Sequence, residues 1–167
     1  MSKAQFCSIL DQCIECNVMN ITLSGGEPML NSNLIYFIDK CRENNFSVNI
    51  LSNLTLLTDD MVSVFSKTPL LSVQTSLYSM DADIHDSITK VKGSFIKTKH
   101  AIEVLREHNV PMQINCPIMK QNKDTYQTVL DWAASLNIEA NSDYMIFGCF
   151  DGLGGNLSCR FCDMIFL

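Results

Sequence analysis

Apolar residues recur along this chain with two alternating periods. Phe6, Ile9, Leu10 and Cys13 fall at helical spacing and predict an opening helix over residues 2–16. The alternating stretch Asn20-Ile21-Thr22-Leu23 then reads as a strand, and Leu34, Phe37, Ile38 and Cys41 mark the buried stripe of a helix over 33–44. A strand over 47–51 follows, then a helix over 59–66 with Thr58 placed to cap it. A third strand is expected over 71–77. The longer loop after it carries Asp81, Asp83 and Asp86, which lack the twelve-residue calcium pattern and read as solvated. Phe95, Ala101, Ile102 and Leu105 predict a helix over 94–108, and residues 111–119 a fourth strand. Tyr126, Val129, Leu130 and Ala133 predict a helix over 123–136, and a last strand is expected over 143–147. Strand and helix thus alternate five times, which calls for an α/β fold of parallel strands with right-handed crossovers.

Parity within the strands narrows the architecture. A parallel strand covered on both sides is apolar throughout, yet each strand here has one polar face. The polar sets are Asn20, Thr22 and Ser24; Asn49 and Asn53; Ser72, Gln74 and Ser76; and Gln113 and Asn115. The opposite faces carry Ile21 and Leu23, Val48 and Ile50, Val73 and Leu77, and Ile114 and Cys116. A curved sheet explains a shared polar face, because its concave side encloses a wet, ligand-bearing cavity while helices cover the convex side. The expected fold is therefore a partial, open parallel β/α barrel of about five strands rather than a flavodoxin-like sheet.

The strand at Asn20 runs into Leu23-Ser24-Gly25-Gly26-Glu27-Pro28. Paired glycines let the backbone turn sharply and approach a ligand closely. The carboxylate of Glu27 and the freed backbone groups form a polar socket at the carboxyl end of a strand, where barrels and open α/β sheets place their ligands. Taken alone, the run is equally a tight strand-to-helix connection with a solvated Glu.

Composition excludes several classes. The chain has 167 residues, 47% of them hydrophobic, enough for one domain with a sizeable core. A net charge of -6 without a Lys/Arg run argues against a nucleic-acid partner. No apolar stretch is long enough to span a bilayer and no signal-peptide pattern opens the chain, so a cytoplasmic location without membrane partners is expected. Of the eight cysteines, Cys7, Cys13, Cys41 and Cys116 lie among apolar residues and read as buried thiols. His85, His100 and His108 are not spaced as metal ligands, and the last two are expected on an exposed helix side. The nine methionines are scattered and read as core filler. Cys159-x-x-Cys162, with Cys149 upstream, offers three cysteines where a closed site takes four, which makes Cys159 and Cys162 weak metal candidates.

From Leu23 through Arg160 the chain resembles the S-adenosylmethionine-binding domain of radical S-adenosylmethionine enzymes, and most closely the peptide- and protein-modifying members with C-terminal auxiliary iron-sulfur clusters. The matching text is the Leu23 to Pro28 run, Ser52-Asn53 and Val73-Gln74-Thr75-Ser76-Leu77-Tyr78. Also matching are His85-Asp86-x-Ile88-Thr89 before Gly93-Ser94-Phe95, and Ile114-Asn115-x-Pro117-Ile118-Met119-x-x-Asn122. The resemblance implies that Gly25, Gly26 and Glu27, with Pro28, hold the amino group of S-adenosylmethionine. It places Ser52 and Asn53 near the ribose, Ser76 near the carboxylate, and the segment from Asn115 through Pro117 to Met119 beside the adenine. The chemistry agrees. An ammonium needs acceptors, which Glu27 and nearby carbonyls supply; a carboxylate needs donors, which Ser76 or Lys90 can supply. An adenine needs an apolar slot, which Pro117-Ile118-Met119 offers. The implied cofactors are S-adenosylmethionine and a [4Fe-4S] cluster. Reductive cleavage yields a 5'-deoxyadenosyl radical that abstracts hydrogen from a peptide or protein substrate.

The family's cluster is held by a C-x-x-x-C-x-x-C loop, and no such spacing exists here; Cys7, Cys13 and Cys16 stand at other intervals. The chain therefore reads as a fragment lacking the first strand and the cluster loop, expected to bind no cluster and to be inactive alone. The resemblance ends at Arg160, which divides the chain into a truncated domain, 1–160, and a short apolar tail, 161–167. The strand at Asn20 then becomes a sheet edge. It is expected to self-associate, or to be covered by the opening helix or the tail. A non-catalytic, barrel-derived interaction module is the alternative function. Leu-Ser-Gly-Gly-Glu also resembles the ABC ATPase signature, but the G-x-x-x-x-G-K-[ST] loop which that function requires is missing.

Overall fold

A computed structural model describes residues 1–67, 70–145 and 155–160. The chain opens with α1 (Lys3–Glu15), β1 (Asn20–Leu23), a 3-10 turn (Pro28–Leu30), α2 (Leu34–Glu43), β2 (Ser47–Leu51) and α3 (Asp59–Lys67). It continues with β3 (Leu70–Ser76), α4 (Ala82–Thr89), α5 (Ser94–Glu107), β4 (Met112–Asn115), α6 (Tyr126–Ser135) and β5 (Glu139–Asn141). The boundaries follow local chemistry. Ser2 caps α1 in a reciprocal box with Gln5. Met61 N donates to Thr58 Oγ1 at 3.3 Å, as the Thr58 cap requires. Asn45 takes a left-handed φ of 60° after α2, and Phe46 N donates to Cys41 O at 2.9 Å to close that helix.

The five strands form one sheet in the order β1-β2-β3-β4-β5. β1 pairs in parallel with β2, and β2 with β3, at the registers Thr22↔Asn49 and Asn49↔Ser72. Sequential order means that each crossover steps one strand in the same direction. This is barrel winding, without the reversal of a doubly wound sheet. The expected parity is present: Val48, Ile50, Val73 and Ile114 are fully buried, while Thr22 is exposed and Asn49, Ser72, Gln74 and Asn115 are half-exposed.

The chain falls into two compact units, Met1–Thr75 with Lys97–Gln113, and Ser76–Ile96 with Ile114–Leu167. In the first, α1 and α2 pack through Phe6 stacked on Phe37, ring centroids 4.1 Å apart, and Leu10, Leu34, Ile38 and Cys41 are buried. Burial pushes the Cys41 thiol up to about 11. β1 ends the sheet order. Its Ile21 and Leu23, with Phe6 and Ile9 of α1 and Leu34 and Phe37 of α2, line a cavity of about 350 Å³.

Three expectations are corrected beyond β3. Residues 82–89 are helix α4, not loop. Asp81 is its N-cap, accepting from Asp83 N and Ile84 N, so the aspartates taken for a solvated loop are a helix start. The last described strand is Glu139–Asn141, and residues 143–145 of the expected strand lie outside it. The left-handed Asn137 and the bond from Ile138 N to Ala133 O close α6 so tightly that the chain enters the sheet at once. Cys116 N then donates to Asn141 O, and Ile118 N to Asp143 O. Apolar character misled the reading: Tyr144 and Met145 are exposed, and Ile146 and Phe147 lie outside the described residues. β4 also stops at Asn115 rather than Met119, since Pro117 has no N–H for a strand ladder. No helix among the described residues is long and apolar enough to cross a membrane.

Candidate functional site

In the first unit the loop after β1 is braced to the loop after β2. Glu27, extended at φ −148°, caps the turn at Pro28, its Oε1 accepting from Met29 N at 3.0 Å. The same oxygen accepts from Ser52 Oγ at 2.7 Å, and Oε2 accepts from Asn53 N at 3.0 Å. Ser52 Oγ accepts in turn from Leu54 N, and Asn53 Oδ1 from both the N–H and the hydroxyl of Thr55. Thr98 Oγ1 of α5 donates to Asn53 O at 2.9 Å. One carboxylate therefore takes three chain donors and fixes Gly25–Pro28 against Ser52–Asn53. Beside it, Gly25 has a φ of +150°, and a Cβ built on Gly25 or Gly26 would meet no atom within 4 Å. The two glycines border open space rather than packed chain, which is the fit a ligand's amino-acid end needs. The anticipated role of Glu27 as an ammonium acceptor is thereby narrowed, since most of its capacity is already used. On the polar face, the Oδ1 of Asn49 is buried and without a partner.

In the second unit, Ser76 is the last residue of β3 and Asn115 the last of β4, and Leu77 N donates to Asn115 O at 3.1 Å. Asn122, completely buried, donates through Nδ2 to Tyr78 O at 2.7 Å and to Pro117 O at 2.9 Å, and accepts from Met119 N at 2.6 Å. Buried His85 accepts from Tyr78 N at Nδ1, 3.2 Å away, which requires that nitrogen to be unprotonated; burial holds its pKa below the usual imidazole value. Its ring also meets Tyr78 and Phe95. Asp86 takes donors from Phe95 N, Ser94 Oγ and Gly93 N at the start of α5, and the N–H bonds from Phe95 and Gly93 hold its carboxyl below the usual value. Sequence reasoning quoted His85, Asp86 and Asn122 as matching text without giving them a task. Lys90 is exposed and ends α4 in the left-handed region.

Among the described residues the thiols present no cluster site. Cys7 lies on α1 with Sγ 3.3 Å from Tyr36 Oη, Cys13 is half-buried and Cys16 exposed at the helix end. Among the described residues no three Cys, His, Asp or Glu side chains group to hold a metal ion. Cys116 is buried, its thiol pushed up to about 11. Cys7 and Cys13 are half-buried rather than core. Cys159 is half-buried, while Cys149 and Cys162 lie outside the described residues. His100 and His108 are exposed, as expected.

Residues 8–133 match the model of the Radical SAM superfamily. The chain belongs to that superfamily. Among curated radical SAM relatives, the PqqA peptide cyclase of Granulibacter bethesdensis is 26% identical over 136 residues, covering 81% of this chain and 36% of the relative. The AdoMet-dependent heme synthase of Methanosarcina barkeri is 28% identical over 120 residues, covering 72% and 34%. The chain thus spans about a third of these relatives. Of solved structures, SuiB of Streptococcus suis bound to precursor peptide SuiA shares the fold at a TM-score of 0.73 and 19% identity, over 81% of this chain and 30% of that one. anSMEcpe with bound AdoMet matches at 0.69 and 17%, over 90% and 46%. These likenesses support the open radical SAM barrel sheet.

Proposed function

We propose that this chain is the S-adenosylmethionine-binding part of a radical SAM enzyme acting on a peptide or protein. In the first unit, Gly25, Gly26, Glu27 and Pro28 receive the amino group, and Ser52 and Asn53 the ribose. In the second, Ser76 receives the carboxylate, and Asn115, Pro117 and Met119 the adenine. The observation that carries this is the Glu27 brace beside two glycines that face open space. The glycine carbonyls and the remaining lone pair of Glu27 are free to accept from an ammonium. The peptide substrate is supported by a peptide cyclase and a peptide-bound enzyme among the relatives. S-adenosylmethionine held by these residues would be the source of a 5'-deoxyadenosyl radical on one-electron reduction. The described residues do not fit a [4Fe-4S] cluster, and no reductive cleavage is expected of this chain by itself.

Equilibrium dialysis of the purified chain with S-adenosylmethionine tests the assignment. Saturable binding that Gly25→Val weakens at least tenfold is expected; wild-type-like binding by that variant overturns it. Anaerobic reconstitution is expected to leave iron far below four per chain and to give no 5'-deoxyadenosine. The second function, a non-catalytic interaction module, is favoured by the lack of a cluster-fitting group among the described residues and predicts no saturable binding.

A further inference from the structure

Two of the buried polar side chains, His85 and Asn122, converge on the backbone of a single residue, Tyr78. The Tyr78 N–H donates to His85 Nδ1 at 3.2 Å, and the Tyr78 carbonyl accepts from Asn122 Nδ2 at 2.7 Å. His85 comes from α4 and Asn122 from the turn before α6, and they are 1% and 0% exposed. A buried imidazole and a buried carboxamide are costly to desolvate unless each finds partners. Both find them chiefly on backbone, with Cys116 Sγ as a further partner 3.9 Å from Asn122 Nδ2. The rest of the Asn122 amide is spent on the segment after β4, donating to Pro117 O at 2.9 Å and accepting from Met119 N at 2.6 Å. Cys116 Sγ lies 3.6 Å from the same Tyr78 carbonyl, and Ser79 Oγ meets Thr125 Oγ1 at 3.1 Å. The segment that follows Ser76 and the segment Pro117–Met119 are thus bolted together by one side-chain amide, with the imidazole holding the N–H on the other side of the Tyr78 Cα.

We propose that His85 and Asn122 are positioning residues that grip the Tyr78 backbone on both sides of its Cα and fix Ser76 and Pro117–Met119 in a single ligand-ready geometry. This rests on the assignment of those segments to the carboxylate and adenine of S-adenosylmethionine. A side chain kept only for packing would be replaceable by an apolar residue of similar volume; here three backbone groups would lose their partner with Asn122 and one with His85. The grip acts through the backbone, so its loss displaces ligand contacts that neither residue makes itself.

The test uses the 167-residue chain with S-adenosylhomocysteine as the probe, and amide hydrogen exchange as a readout that needs no ligand. Asn122→Ala is expected to speed exchange at Met119, and His85→Ala at Tyr78, each about tenfold, as loss of one buried hydrogen bond implies. Leu105 and Ile38, in the other unit, keep wild-type rates. Both variants are expected to weaken S-adenosylhomocysteine at least fivefold, and the double variant little more than either, because they hold the backbone of one residue. His85→Gln, a neutral side chain whose carbonyl can accept from Tyr78 N, restores both readouts and excludes simple misfolding. Unchanged exchange at Tyr78 and Met119 overturns the grip. Local exchange changes with unaltered S-adenosylhomocysteine affinity overturn its positioning role. If the wild-type chain takes up no S-adenosylhomocysteine, the site assignment and the ligand half of the proposal fall together, and exchange still decides the grip.

Discussion

The loop after β1 and the segment after β3 solve the same problem with opposite materials. The first unit uses a charged, half-exposed acceptor: Glu27 takes Met29 N, Ser52 Oγ and Asn53 N beside glycines that border open space. The second uses neutral, fully buried groups, His85 and Asn122, closed on backbone N–H and C=O. The difference follows from burial. Near water a carboxylate is cheap to keep charged and can serve chain and ligand together, whereas in the core an unpaired charge would cost far more than a neutral amide of similar reach. An exposed brace tolerates the loss of one donor because water replaces it; a buried grip does not.

The largest expected effect tests that asymmetry. Asn122→Leu, close in volume but without polar atoms, leaves Pro117 O and Met119 N unpaired and Tyr78 O with only the weak Cys116 thiol donor, and is expected to destabilise the chain by about 3 kcal/mol in denaturant unfolding. A cost no larger than that of removing the Glu27 carboxylate would break the comparison. Glu27→Ala is expected to cost less, roughly 1–2 kcal/mol, because water reaches its donors. Its signature is local, faster amide exchange at Asn53, with Tyr78 unaffected.

Acid sharpens the contrast further. The pKa of His85 in the folded chain lies below its ordinary 6.5, and that of Asp86 below its ordinary 3.8. Both groups therefore favour folding in their deprotonated forms. The His85 contribution is whole above pH 6.5 and is lost as pH falls through its lowered value; the Asp86 contribution is lost lower still, beneath 3.8. Amide exchange at Tyr78 is expected to accelerate, once corrected for intrinsic rate, between neutral pH and pH 5, and His85→Gln to flatten that dependence. An unflattened profile would assign the titration elsewhere.

The smallest effect concerns β1. Its edge alternates Ile21 and Leu23 with Asn20 and Thr22, so a second copy related by a two-fold axis presents matching faces. Weak self-association is expected in light scattering, reduced by Thr22→Pro, which removes one edge N–H. A monodisperse monomer at millimolar concentration would refute it.

Much of this was fixed by local chemistry. The polar and apolar parity of Asn20–Leu23, Ser47–Leu51 and Val73–Leu77 announced a sheet with one open face, and the Gly25-Gly26-Glu27 run announced a turn at a strand end, because period two and glycine geometry act over a few residues. The resemblance carried by those runs agrees with the superfamily match over residues 8–133. Tertiary structure decided the rest. Asp81 reads as loop until its bonds to Asp83 N and Ile84 N make it a cap, and Tyr144-Met145 reads as strand until the closing of α6 at Asn137 places the sheet entry at Glu139. That Glu27 braces Ser52, 25 residues away, and that Asn122 holds Tyr78, 44 residues away, follows from no local period. Such bonds exist only because strand winding brings distant loops together, and burial then obliges each polar group to find a partner.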